Sequence, residues 1–123
     1  ILRCLVGSEM CIRDSNYTVA KTSAGAIEYV PVVKVANLPA AIDELKSRGV
    51  WIFGADMDGT DYTALDYSGS IALVIGSEGK GIGRLVREKC DFIASLPMRG
   101  KINSLNASVA AGILMFEAAK HRN

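Results

Sequence analysis

Ile71-Ala-Leu-Val-Ile75, followed by Gly76-Ser-Glu78-Gly79-Lys80-Gly81-Ile-Gly83, is the stretch on which the fold turns. Five uninterrupted apolar residues, too few for a helix, read as a strand covered on both faces, as strands of parallel sheets are. The glycines then supply a turn, and Arg84–Lys89 reads as a short helix. Further on, Asp91–Leu96 is a second apolar run and predicts the last strand. A loop over Pro97–Asn103 leads into a helix from Ser104 to about His121. That helix is apolar on nearly every face up to Phe116 and turns polar only at Glu117, Lys120 and Arg122, which predicts burial. On the N-terminal side, Val50–Gly54 reads as another buried strand and Asp56–Gly69 as a polar loop with room for one helical turn. Leu38, Ile42 and Leu45 mark the apolar face of a helix capped by Asn37 and ended by Gly49. Tyr29–Val35 reads as a strand, with Pro31 near its start or on an edge. Strands and helices alternate, so the class is α/β with a largely parallel sheet.

The 123 residues suffice for one domain with a real core, and a composition 50% hydrophobic and 22% charged is that of a globular chain. Fourteen basic against thirteen acidic residues exclude a strongly basic nucleic-acid binder, though not a locally basic site. The single histidine, His121, excludes a His-based triad or a multi-His metal site. Cys4, Cys11 and Cys90 form no CxxC pair, which points to a reducing cytoplasm; Cys90 reads as a buried small hydrophobe. No apolar run approaches the ~20 residues of a membrane span. The first residue is Ile, and residues 1–15 show neither helix nor strand periodicity. They look like translated adaptor sequence rather than a native arm, which predicts an N-terminally truncated chain whose native part is 16–123.

The glycine-rich turn fits neither common nucleotide motif. Gly79-Lys80 is followed by Gly81 where a P-loop needs Ser or Thr, and Gly79-Lys80-Gly81-Ile82-Gly83 is one residue short of GxGxxG. Two readings stay open: a tight turn into a helix, or a backbone that a ligand approaches closely at a strand's carboxyl end. Glu78 inside the turn favours the second. Leu96-Pro97-Met98-Arg99-Gly100 and Ser104-Leu105-Asn106 also follow strand ends, although Ser104 and Asn106 suit helix capping equally well. Between Ser77 and Lys101, six basic residues (Lys80, Arg84, Arg87, Lys89, Arg99, Lys101) face three acidic ones (Glu78, Glu88, Asp91). They read as a locally basic site, with a solvated helix face open as the other reading for Arg84, Arg87 and Lys89.

IALVIGSEGKGIG, CDFIASLPMRG and SLNASVAAGILMFEAAK, in that order, resemble the successive signature motifs of the SpoU/TrmH-type RNA ribose 2′-O-methyltransferases of the SPOUT superfamily. KTSAGAIEYVPVVKVANL and WIFGADMDGTDY look most like the branch that methylates a guanosine ribose in 23S ribosomal RNA. The resemblance covers Lys21 to the C-terminus. It implies an α/β fold with a C-terminal trefoil knot, S-adenosylmethionine bound in the knot, no metal, and a homodimer packed through the knot region. By motif position, Gly76, Leu96 and Leu105 would contact the cofactor, and Glu78, Ser104 and Asn106 would be the polar active-site residues. Arg84, Arg99 and Lys101 are the candidate RNA contacts. The family's first motif, an Asn followed by a Gly and an Arg that activates the ribose hydroxyl, finds no match at Asn16-Tyr17-Thr18 or Asn37-Leu38-Pro39. Weak or no turnover by these 123 residues alone is therefore expected. The competing reading is a knot domain that binds RNA or dimerises without catalysis.

Overall fold

The structure is a computed structural model and describes residues 5–8, 32–76, 81–98 and 106–122. The chain divides into two compact units, Ile1–Ala41 and Ile42–Asn123. In the first, β1 (Leu5–Ser8) and β2 (Val32–Val35) pair in parallel, Leu5 opposite Val32 and Ser8 opposite Val35. Residues 1–15 show no helix or strand periodicity, yet Leu5–Ser8 form a strand. Four residues are too few to display a period, and their pairing partner lies far along the chain. Of the expected strand Tyr29–Val35, Val32–Val35 is observed, while Tyr29, Val30 and Pro31 lie outside the described residues.

Helix α1 (Leu38–Ser47) starts as its sequence requires. Asn37 Oδ1 accepts from Ala40 N at 3.0 Å, and Asn37 O accepts from Ala41 N at 3.1 Å. Gly49 follows its end at φ +83°, the left-handed conformation that stops a helix at low cost in glycine.

The second unit is built on three parallel strands: β3 (Trp51–Asp61), β4 (Ile71–Ile75) and β5 (Phe92–Ser95), in the order β4-β3-β5. Phe53 of β3 stands opposite Leu73 on one side and Phe92 on the other. A short 3₁₀ turn at Tyr62–Ala64 and the helices α2 (Arg84–Lys89) and α3 (Ala107–Lys120) complete the unit. The parallel α/β class expected from the sequence is the one observed. The burial differs. Ile71–Ile75 is half-buried and among the described residues pairs only with β3, whereas Ile52 and Phe53 of β3 are fully buried. An apolar run carries no information about lateral order in the sheet, and a strand paired on one side only stays half-buried.

Strand β3 also runs past its expected end. Pairing with β5 lapses after Ala55 opposite Ala94 and resumes at Thr60 and Asp61, so residues 56–59 bulge out where the sequence predicted a loop. Ser95 Oγ holds the bulge by donating to Met57 O at 2.8 Å. Gly59 lies so close over β5 that a Cβ there would meet Ile93 O at 2.4 Å. Polar residues can thus continue a strand where backbone and hydroxyl groups satisfy it.

Phe53 stacks on Tyr67 and Phe92, with ring centroids 4.7 and 4.9 Å apart, and Ala118, Leu65, Ile71 and Leu73 close around it. Helix α3 lays Leu114, Glu117 and Ala118 inward, packing against β4 and the 3₁₀ turn. It is not buried all round, as its composition suggested. Val109, Met115 and Phe116 are exposed, Phe116 by 79%, because β4 and the turn cover one side only. Cys90 is half-buried; its thiol donates to Val86 O at 3.4 Å, and burial pushes its pKa up.

Two outcomes follow from this core. Leu114→Ala empties a fully buried position and is expected to destabilise the unit by about 2–5 kcal/mol in urea unfolding. Tyr67 donates its hydroxyl to Tyr62 O at 2.6 Å, and burial, reinforced by the nearby Glu117 charge, pushes the phenol from 10.0 up to about 12. The native state therefore keeps a proton that the unfolded chain loses above pH 10, so stability is whole below 10 and falls as pH rises towards 12. Unfolding curves collected across that window should show the fall, and Tyr67→Phe should flatten it.

Candidate functional site

Because β4, β3 and β5 are parallel, their carboxyl ends share one edge of the sheet. Gly76 follows β4, Leu96 follows β5, and the bulge of residues 56–59 lies on the strand between them. Gly76 and Gly81 touch backbone to backbone. A Cβ on Gly76 would lie 2.2 Å from Gly81 C and 2.4 Å from Gly81 O. Gly81 itself adopts φ +67°, which L-residues rarely do. The chain on either side of residues 77–80 is thereby drawn together at one point. Beneath it lies Asp56: its Oδ1 is 3.5 Å from where a Gly81 Cβ would stand and accepts from Met57 N at 2.7 Å. The Arg87 guanidinium, from α2, pairs with the other carboxylate oxygen and donates to Asp58 O.

Of the candidate site residues, the structure places Gly76 and Leu96 on this edge and Asn106 at the start of α3. Asn106 Oδ1 accepts from Ser108 N at 2.9 Å and from the Ser108 hydroxyl, so capping, one of its two readings, is observed. Ser104 was expected to begin that helix; the described helix begins at Ala107. Glu78, Arg99, Lys101, Ser104 and Leu105 lie outside the described residues.

The described basic residues of the window, Arg84, Arg87 and Lys89, each pair with a carboxylate. Arg84 pairs with Glu88 at 3.1 Å, Arg87 with Asp56, and Lys89 with Asp43 at 2.8 Å. Lys46 lies 3.5 Å from Asp91, whose other oxygen accepts from Ile52 N at 2.8 Å. Arg84 remains accessible, its side chain 92% exposed in a surface pair worth under about 1 kcal/mol, so a phosphate could displace Glu88. Arg87 and Lys89 are turned inward by comparison. Asp56 and Arg87 were not singled out together by the sequence: Asp56 read as loop, Arg87 as helix surface, and no motif links them. Among the described residues no group of three or more His, Cys, Asp or Glu side chains could hold a metal. No helix there is long and apolar enough to cross a membrane.

The profile of the SpoU rRNA methylase family matches residues 2–116. The chain belongs to that family. It is 57% identical over 107 residues to the Bacillus subtilis (strain 168) protein YacO, whose name assigns it to the TrmH family of tRNA/rRNA methyltransferases. That alignment covers 86% of this chain and 43% of YacO, so the chain spans about two-fifths of the length of the curated relatives it matches. Among solved structures, the A. aeolicus TrmH/SpoU tRNA modifying enzyme superposes with a TM-score of 0.87 at 28% identity, over 98% of this chain and 61% of that one. The SpoU methyltransferase AviRb of Streptomyces viridochromogenes, in complex with AdoMet, gives 0.86 at 27% identity, over 96% and 49%. Membership of the SpoU family bears out the resemblance carried by the three C-terminal motifs.

The glycine contact yields a direct test. Gly76→Ala must push the Gly81 backbone away and is expected to cost about 1–3 kcal/mol in urea unfolding, as overpacking does.

Proposed function

We propose that this chain carries part of the catalytic domain, residues 16–123, of an enzyme that methylates the 2′-hydroxyl of a guanosine ribose in 23S ribosomal RNA, using S-adenosylmethionine. The observation that carries the reading is the shared carboxyl edge of three parallel strands, with Gly76 and Leu96 on either side of β3, in a SpoU-family chain. The residues there suit such a cofactor. Gly76 offers bare backbone at a strand end, where open parallel sheets take their ligands, and half-buried Leu96 and Met98 offer apolar surface to an adenosine.

When bound, S-adenosylmethionine supplies a methyl group activated by its sulfonium. The chain's own part is to position. The backbone at Gly76, Leu96 and Leu105 would hold the cofactor, Glu78 and Asn106 would orient the ribose or the upstream Arg by hydrogen bonds, and Ser104 would shape the same pocket. Holding two reactants in line removes much of the entropic barrier, and a base must still draw off the hydroxyl proton. No metal enters this scheme. Arg84, Arg99 and Lys101 would meet RNA phosphates. The C-terminal segment threads as a trefoil knot in this reading, and a second copy packs on α3. The exposed Val109, Met115 and Phe116 support that dimer, since a patch of large apolar side chains on a helix otherwise inward-facing only through Leu114, Glu117 and Ala118 favours a covering surface. The cytoplasm, where ribosomal RNA is met, is the corresponding compartment.

Calorimetry should find S-adenosylmethionine bound by the chain and Gly76→Val sharply weakened; unchanged affinity in the variant contradicts the placement. For turnover, ribosomal RNA and methyl-labelled cofactor are supplied to a version with residues 1–15 replaced by the matching segment of a full-length relative. Label at a guanosine 2′-oxygen supports the reading, and label on a base contradicts it. Cofactor binding with no transfer favours the non-catalytic knot domain.

A further inference from the structure

We propose that Arg87 and Asp56 form a positioning clamp that sets the S-adenosylmethionine-binding shape of the chain around Gly76 and Gly81; this rests on the cofactor reading above. The pair differs from its neighbours. Arg84–Glu88 and Arg48–Glu44 are i,i+4 pairs with side chains 57–92% exposed, whereas the Arg87 and Asp56 side chains are 34% and 22% exposed and come from different elements. Both halves of the Arg87 fork are used, one on the Asp56 carboxylate and one on Asp58 O, so the bulge of β3 is gripped at two points.

The grip closes a ring. Arg87 N donates to Gly83 O at 2.9 Å in the first turn of α2, and Gly83 lies two residues past Gly81. From that helix the guanidinium reaches to Asp56, the Asp56 carboxylate lies against Gly81, and Gly81 rests on Gly76 at the end of β4. The fork is planar and rigid; a lysine could keep the charge pair but not both contacts. Arg87 is thus spent on the turn's geometry rather than on a phosphate.

The test uses the 123-residue chain, S-adenosylmethionine calorimetry and amide hydrogen exchange, with Glu88→Gln as the control on the same helix. Arg87→Met and Asp56→Asn should each weaken affinity about tenfold, the cost of losing a charge-assisted bond. The double variant should be no worse than the weaker-binding single one, and Arg87→Lys should fall between. Exchange should quicken at residues 56–59 and 81–83 while the Ile71–Ile75 amides keep their protection. Wild-type affinity in Arg87→Met, additive losses in the double variant, or faster exchange throughout the sheet overturns the clamp. Should Arg87→Met fail to fold, Arg87→Lys and Asp56→Asn decide. Should the wild-type chain bind no S-adenosylmethionine, the cofactor reading fails by itself and the exchange pattern still decides whether the pair holds the turn.

Discussion

At the carboxyl end of β4 the backbones of Gly76 and Gly81 meet with no room for a side chain on Gly76, and the edge of the sheet is arranged around that contact. It sets Gly81, two residues before the N-cap of α2 at Gly83, against the end of β4. Because α2 starts there, its Arg87 faces the bulge of β3 and Lys89 reaches Asp43 on α1. Because β3 bulges over residues 56–59, Asp56 can stand under Gly81. Each feature depends on close backbone packing rather than on a large apolar cluster, in a unit whose buried core centres on Phe53, Tyr67 and Ala118.

Much of the architecture was readable from local pattern. Ile71–Ile75, the α1 cap at Asn37 and its stop at Gly49 all depend on neighbours a few residues away, and all stand as read. Relations across the chain were not readable. Nothing in IALVI says that it pairs with β3 alone among the described strands, and nothing in ADMDG says that a bulge replaces a loop. The pairing of Leu5–Ser8 with Val32–Val35 is of the same kind. For the candidate site, the motifs located Gly76, Leu96 and Asn106 on elements of the right kind, because turn and cap chemistry is local. The Asp56–Arg87 pair spans two elements, and periodicity cannot report it.

Helix α3 shows how composition misleads about burial. Its Phe116 is among the most exposed apolar side chains, while Glu117, the residue at which the sequence turns polar, is 8% exposed and paired with Lys120 at 3.1 Å. Mean hydropathy averages over the helix, whereas burial follows the one side that β4 and the 3₁₀ turn happen to cover. Residues Tyr62, Val109, Gly112, Ile113, Phe116, Glu117 and Lys120 line an open groove of about 410 Å³ where α3 borders the 3₁₀ turn. Among the described residues two surfaces thus stand out: the strand edge at Gly76 and Leu96, and the exposed apolar side chains Val109, Met115 and Phe116 of α3.

The central claim is that the shared carboxyl edge of β4, β3 and β5 receives the cofactor. Titrating S-adenosylmethionine into the isotope-labelled chain and following its backbone amides by nuclear magnetic resonance tests this most directly. The account predicts that the largest shifts fall on Gly76, Gly81 and Leu96, with Asp56 and Met57 following. Shifts confined to Tyr62 and the exposed face of α3, with the strand-edge amides unmoved, would contradict it.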